Sequence, residues 1–278
     1  MPNPSKLINI AAEGLIVLGA LAAVYDLMRG RIDRARESFG NLLTFAGVRV
    51  LGLVFREAGV LSVLYAMQRH AWVRLPAGAL TSVACFLLAD LIYFSRHWLY
   101  HHWRVMWLIH SAHHSSHDFT LTTAIRVNWL GGFIEDFFYI LPVLAGFPLG
   151  EVYFWRVFVR VHQTWVHTQK IGSLGFLDRI FHTPSIHRVH HASNAPYRYR
   201  NYGGVLNIWD RMAGTFQPEL ADVKPLFGPA EPTRSMNPFK IVFEGWGLFF
   251  RDLGRARTPR ALLATLFSRP EIRPRITS

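Results

Sequence analysis

Apolar positions along the chain fall into long stretches, separated by shorter segments that contain arginine. A helix needs about 20 mostly apolar residues to cross the hydrocarbon core of a membrane. The stretches that meet this requirement are residues 7–28, 42–67, 75–94 and 129–166, the last broken by prolines into a hairpin-like pair. The pattern predicts an all-α protein, an integral membrane helical bundle with about four transmembrane helices.

Arginine placement predicts the orientation of this bundle. Arg29, Arg31, Arg34 and Arg36 directly follow the first apolar stretch, and short basic loops lie on the cytoplasmic side of membranes. Counting spans from there places residues 95–127 and 167–216 on the same side. We therefore expect a multi-pass protein of a bacterial inner membrane or its equivalent, with these two segments forming a cytoplasmic helical cap.

The remaining residues, 217–278, complete a single domain. Phe239–Leu253 combines an apolar face with Trp246 and basic ends, which is typical of a helix lying in the membrane interface. The tail after Arg269 contains two prolines, and we expect it to be poorly ordered.

Histidine spacing is the clearest chemical signal in the chain. Three clusters fall in the predicted cap: His97 with His101, then His110 with His113 and His114, then His187 with His190 and His191. Residues at i, i+3 and i+4 of a helix project to one face. Neutral imidazole binds iron, zinc and copper, and eight such rings exceed what one ion can coordinate. The pattern predicts two metal ions.

The amino-acid composition excludes several kinds of metal site and binding partner. The chain is 51% hydrophobic and 17% charged, and its single cysteine excludes a disulfide framework and any cysteine-rich metal site. Its net charge of +12 accompanies no nucleic-acid-binding motif, so we predict a membrane partner and no nucleic acid. The HExxH signature of zinc proteases is missing, and a structural zinc needs only four ligands. Redox chemistry with O₂ fits a histidine-rich pair of metals better.

Residues Asp90 to Phe216 resemble the fatty acid hydroxylase and sterol desaturase superfamily of membrane-bound di-iron enzymes. The resemblance rests on the three histidine clusters, on the lead-in Asp90–His97, on Ser115–Arg126 and Gln163–Thr168, and on the closing segment Asn201–Phe216. These motifs are most similar to the branch of alkylglycerol monooxygenase and the sterol C5-desaturases.

The resemblance implies a ligand set, two irons and O₂ as cosubstrate. The ligands would be His97, His101, His110, His113, His114, His167, His187, His190 and His191, with no catalytic side chain beyond them. Asp90, His117, His162, His182 and Asn201 are candidates for supporting these rings from behind, whereas His102 should face elsewhere.

The predicted activity is hydroxylation or desaturation of a C–H bond in a lipid, such as a sterol, a fatty acyl chain or an ether lipid. Electrons would come from an external donor, either a redox protein or a reduced pterin. The alternative is a non-enzymatic histidine-rich membrane protein that binds or transports metal. Transporters place such residues near the bilayer midplane, whereas these histidines cluster at helix ends, which favours the enzyme.

Overall fold

The structure, a computed structural model, describes residues 4–52, 57–228 and 235–270. Within these ranges it is helical, with no strand and two isolated bridges, so the all-α prediction is confirmed. The helices are α1 Pro4–Met28, α2 Ile32–Leu51, α3 Glu57–Gln68, α4 Ala79–His102, α5 Arg104–His114, α6 Gly131–Phe138, α7 Ile140–Leu144, α8 Leu149–Trp165, α9 Leu177–Ile180, α10 Pro184–His191, α11 Ile208–Met212, α12 Pro238–Phe243, α13 Trp246–Arg255 and α14 Pro259–Phe267.

The predicted apolar stretches correspond to helices with different limits. The first lies in α1. The third lies in α4 from Ala79 onward, and α4 continues beyond it to His102. Residues 42–67 are divided between α2 and α3, and residues 53–56 between them lie outside the described part of the chain. Residues 129–166 form two short helices, α6 and α7, followed by the longer α8.

Among the described residues, α4 is the helix long and apolar enough to cross a membrane, with a mean hydropathy of 1.4. Its exposed apolar side chains include Leu80, Val83 and Leu87. A shorter apolar helical segment covers Ile16–Met28.

The apolar core lies where α4 packs against α7 and α8. Ala89 and Ile92 of α4 contact a cluster that contains Val143 of α7 and Val152 of α8. The apolar first half of α4 is therefore anchored there, while its last two turns contain His97 and His101. Trp103 adopts an extended conformation that ends α4, so α5 starts in a new direction and packs against α4.

Polar residues of α2 hold the segment that follows α5. Asn41 donates to Thr122 Oγ1 over 3.0 Å and accepts from Arg126 Nη1 over 2.9 Å. The Glu37 carboxylate accepts from the backbone N–H of His117 over 2.9 Å. These hydrogen bonds give the buried side chains of Asn41 and Arg126 polar partners and hold the segment against α2.

The C-terminal region packs onto α2 and α5. The helix expected over Phe239–Leu253 is two helices, α12 and α13, separated at Glu244 and Gly245. Arg104 at the start of α5 forms an ion pair with Asp252 of α13. The expectation of a poorly ordered tail falls mainly on residues 271–278, which lie outside the described residues.

Candidate metal centre

Two groups of histidines lie close enough to hold metal ions. Site A consists of His97, His101, His110, His114 and His190, and site B consists of His113, His167, His187 and His191. Within each site the ligand atoms all lie within 4.8 Å of one another. The structure thus brings all nine histidines of the expected set together, in one group of five and one of four.

Helix geometry divides each HxxHH cluster between the two sites. In α5, His110 and His114 belong to site A, whereas His113 belongs to site B. The division is reversed in α10, where the first and last histidines of the cluster belong to site B and His190 belongs to site A. Successive helical residues are rotated by about 100°, so neighbouring rings such as His113 and His114 diverge.

Backbone carbonyls fix the tautomer of several rings. A carbonyl oxygen only accepts, so a ring whose Nδ1 bonds to it must have its proton on Nδ1, which leaves Nε2 free to bind metal. The pairs are His97 with Tyr202 at 3.1 Å, His113 with Arg126 at 3.3 Å, His167 with Gln163 at 2.6 Å and His190 with Arg200 at 3.0 Å.

The contact between His113 and His167 tests whether these rings fit a metal. Their Nε2 atoms lie 3.1 Å apart in site B, and both are unprotonated because each Nδ1 donates to a carbonyl. Two lone pairs at this distance repel unless a cation lies between them. Two nitrogens bound at right angles about 2.1 Å from one ion would be about 3.0 Å apart, so the spacing fits metal coordination.

Other atoms in the two sites also fit metal coordination. In site A, Nε2 of His97 and Nε2 of His110 are separated by 3.0 Å. Nε2 of His101 and Nε2 of His191 are buried and have no hydrogen-bond partner. Buried polar atoms normally have partners, so these residues fit a bound cation.

Burial keeps the rings neutral, which is the form that binds metal. Loss of solvent lowers the pKa of His113 from 6.5 to about 4 and that of His190 to about 3. The same cause, reinforced by neighbouring rings, holds the pKa of His114 and His187 well below the usual value. No acidic side chain belongs to either site among the described residues.

His182 is the predicted supporting residue that contacts a ring of site B directly. Its Nε2 lies 2.9 Å from Nδ1 of His187, and its side chain is fully buried. His162 acts one step further away, because its Nε2 bonds to the backbone carbonyl of His182 over 2.8 Å. His102 stacks on Trp98 and belongs to neither site, as its helical position predicts.

Asp90 bonds to the closing segment and not to an imidazole. Its carboxylate accepts from the backbone N–H groups of Val205 at 2.6 Å and Leu206 at 3.1 Å, and from Trp209 Nε1 at 2.9 Å. Asp90 therefore fixes the closing segment against α4.

Asn201 and His117 also contact backbone in place of site rings. Asn201 Nδ2 donates to the carbonyl of Ile186, the residue before His187, over 3.0 Å. The ring of His117 packs so tightly against Gly228 that a Cβ there would collide with it.

Asp210 and Phe119 contact the surroundings of the site rings, and neither was among the predicted site residues. The Asp210 carboxylate accepts from the N–H groups of Tyr202 at 2.8 Å and Gly203 at 2.7 Å, and the Tyr202 carbonyl in turn orients His97.

Phe119 is buried, and its ring stacks on His167 with a centroid distance of 5.3 Å. A single phenylalanine has no charge and forms no recognisable spacing, so nothing in the sequence marks it as part of the site.

A cavity of about 230 Å³ lies beside both sites. Its lining includes His97 and His110 of site A and His113 and His167 of site B. A molecule in this cavity would therefore lie next to both groups of rings.

Comparisons with known proteins identify a family and several relatives. The family model for fatty acid hydroxylase matches residues 82–215. The chain is 36% identical to alkylglycerol monooxygenase of Xenopus tropicalis, covering 81% of this chain and 51% of that protein, and 37% identical to that of Homo sapiens, covering 81% and 50%. It is 28% identical to ornithine lipid hydroxylase OlsE of Rhizobium tropici, covering 66% and 58%.

The chain spans about half the length of the alkylglycerol monooxygenases that it matches. No solved structure matches it significantly. The matched region, residues 82–215, contains all nine histidines of sites A and B. The chain therefore belongs to the superfamily of fatty acid hydroxylases and sterol desaturases.

Proposed function

We propose that this protein is a membrane-bound non-haem di-iron oxygenase, which uses O₂ and external electrons to hydroxylate or desaturate a C–H bond of a lipid. The observation that supports it most directly is the pair of adjacent all-histidine sites lining one cavity. Relatives named as alkylglycerol monooxygenase, lipid hydroxylase and sterol desaturase point to the same class of reaction.

Each site would hold one iron, five rings in site A and four in site B. The irons supply the redox chemistry that activates O₂ toward an unreactive C–H bond. The protein's own contribution is geometric. Carbonyl acceptors such as those of Tyr202 and Gln163 hold the rings with Nε2 toward the metal, and burial of the rings excludes water from the reacting carbon.

The lipid would reach the cavity from the bilayer. In this proposal α4 spans the membrane and α1 and α2 are among the other membrane segments, while the histidine-bearing helix ends lie on the cytoplasmic side. In this proposal an external redox protein or a reduced pterin supplies the electrons. Basic residues of the cap would attract an acidic donor.

Metal analysis and isotope labelling test this proposal together. Purified protein, expressed with iron, should contain two irons per chain and give the Mössbauer spectrum of a coupled pair. Lipids from expressing cells grown under ¹⁸O₂ should contain a labelled hydroxyl group or a new double bond that is missing from cells without the protein. Two zinc ions together with unchanged lipids would instead support the metal-binding or transport alternative.

A pair of variants sharpens this test. His113→Ala removes a ring of site B and should abolish turnover and lower the iron content. His70→Ala removes an exposed histidine outside both sites and should change neither. Full turnover and two irons in His113→Ala would contradict the ligand assignment.

A further inference from the structure

The side-chain oxygen of Gln163 in α8 is a buried hydrogen-bond acceptor without a partner among the described residues. The amide nitrogen of the same side chain donates to the backbone carbonyls of Gly203, over 3.3 Å, and Gly204 in the closing segment. A carbonyl only accepts, so the amide cannot be flipped to exchange its oxygen and nitrogen. Oε1 of Gln163 is therefore turned away from these carbonyls and still needs a donor.

Gln163 lies at the cavity beside sites A and B. It is 7% exposed and lines this cavity. It precedes His167 of site B by four residues, and its backbone carbonyl accepts from Nδ1 of that ring. Buried polar atoms normally have partners, and an unpaired one costs free energy. A hydrogen-bond donor bound in the cavity would satisfy Oε1 of Gln163 beside site B.

Tyr93 of α4 supplies a second polar group to the lining of the cavity. It precedes His97 of site A by four residues, and the two rings pack edge to face with centroids 5.4 Å apart. Tyr93 and Gln163 both contact Gly204. A Cβ on Gly204 would lie 3.1 Å from Cδ1 of Tyr93, and the Gly204 carbonyl accepts from Gln163. A phenolic hydroxyl and an amide oxygen thus lie beside one ring of each site.

The chemical group that matches this pair is a neutral hydroxyl. Its hydrogen can be donated to the amide oxygen of Gln163, and its own oxygen can accept from the hydroxyl of Tyr93. An ionised carboxylate has no hydrogen to donate to the amide oxygen, and a hydrocarbon satisfies neither residue. Apolar side chains in the same lining, such as Ile109 and Val157, suit the carbons that adjoin the hydroxyl.

We infer that Gln163 and Tyr93 bind a hydroxyl group of the lipid substrate, which donates to Oε1 of Gln163 and accepts from the Tyr93 hydroxyl. This rests on the proposed function and narrows its substrates to lipids with a hydroxyl near the oxidised carbon. The reason is that His97 and His167 line the same cavity. A fatty acid oxidised far from its polar end would gain nothing from these two residues.

The competing explanation is that water donates to Oε1 of Gln163, whose role is then only to hold the closing segment. The two explanations differ in one measurable respect. In the first, the affinity for a lipid depends on whether its polar group can donate a hydrogen bond. In the second, it does not.

Binding measurements on the purified full-length, iron-loaded protein in neutral detergent test this inference. Three probes share one octadecenyl chain and are titrated while tryptophan fluorescence is recorded. Oleyl alcohol donates and accepts, oleyl methyl ether only accepts, and octadecene does neither. We expect the alcohol to bind about tenfold more tightly than the ether, which leaves Oε1 of Gln163 unpaired, and the ether about threefold more tightly than octadecene.

Two variants separate the contributions of the two residues. Gln163→Met removes the amide oxygen with little change in size and should abolish the difference between the alcohol and the ether. Tyr93→Phe removes one hydroxyl and should abolish the difference between the ether and octadecene. Gln169→Met and Tyr65→Phe are the matched controls, because neither residue lines the cavity, and they should keep both differences.

Equal binding of the alcohol and the ether by the unchanged protein would overturn the inference and leave water as the donor. A preference for the alcohol that survives in Gln163→Met would also overturn it, since exclusion of the larger ether would then explain the preference. If Gln163→Met does not fold, nonadecenol takes its place in the test. This alcohol has as many heavy atoms as the ether, and binding as weak as that of the ether would contradict the inference.

The outcome is separable from that of the proposed function. A hydroxyl preference in protein that contains no iron pair would leave the hydroxyl site standing and remove the oxygenase. An iron pair that oxidises lipids without this preference would do the reverse.

Discussion

Nε2 of His182 lies 2.9 Å from Nδ1 of His187, in the position that a backbone carbonyl occupies behind other rings of the two sites. When Nε2 of His187 binds metal, its Nδ1–H donates to His182. A side chain can be replaced by mutation, whereas a carbonyl cannot. This contact therefore allows the support behind one ring of site B to be removed selectively.

His182→Ala should weaken metal binding at site B by about 10–100-fold, because outer partners orient ligand rings and raise their basicity. Site A should keep its ion. The measurement is iron content and Mössbauer signal after dialysis against graded chelator. His117→Ala is the control, since that ring packs on Gly228 outside both sites; equal losses in both variants would contradict a specific role for His182.

Asp210→Asn should destabilise the protein by about 1–3 kcal/mol, because it weakens charge-assisted hydrogen bonds of a fully buried carboxylate. Its partners are the N–H groups of Tyr202 and Gly203, so site A should also lose iron through displacement of the Tyr202 carbonyl from His97. Thermal unfolding and iron content are the measurements. Asp222→Asn, at an exposed position, should match the unchanged protein.

Gly204→Ala should be destabilising by about 1–3 kcal/mol through overpacking. A Cβ at Gly204 would collide with the Asp90 carboxylate and lie 2.9 Å from Val159, which would push the closing segment away from α4. Gly172→Ala meets nothing within 4 Å and provides the comparison. If the two variants unfolded at the same temperature, the close approach of the closing segment to α4 would be wrong.

The metal-free protein should lose stability as the pH falls below about 6.5. Burial lowers the folded-state pKa of His113 to about 4 and of His190 to about 3, so between these values and 6.5 the unfolded chain binds more protons. Each such ring then contributes up to about 1.4 kcal/mol of lost stability per pH unit. Unfolding of chelator-treated protein at pH 7.5, 6.0 and 5.0 measures this, and a flat profile would refute it.

The three histidine clusters could be recognised from sequence because their spacings are local, whereas the full expected ligand set, with His167, came from the family resemblance. The helices α5 and α10 form where the clusters occur, but the expectation that i, i+3 and i+4 share one face was too coarse, because the ring at i+3 belongs to the other site in both helices. The assignment of each ring to site A or B could not be predicted, since it depends on how α4, α5 and α10 pack.

Long-range partners were beyond the reach of sequence. Every residue has a carbonyl, so nothing marks Tyr202 or Arg200 as the acceptor for a ring. A lone Asp90 in an apolar helix suggested a hydrogen bond to an imidazole, yet its partners lie more than 100 residues away in the closing segment. Nothing in the sequence indicates that Glu135 of α6 pairs with Arg156 and Arg160 of α8 beside the cavity.

Because α5 and α10 each present rings to both sites, neither helix can rotate about its axis to improve one site without misaligning the other. The geometry of the two helices would therefore fix the distance between the two ions. Occupation of one site would hold both helices in the orientation that the other requires, so we expect the second ion to enter more easily than the first.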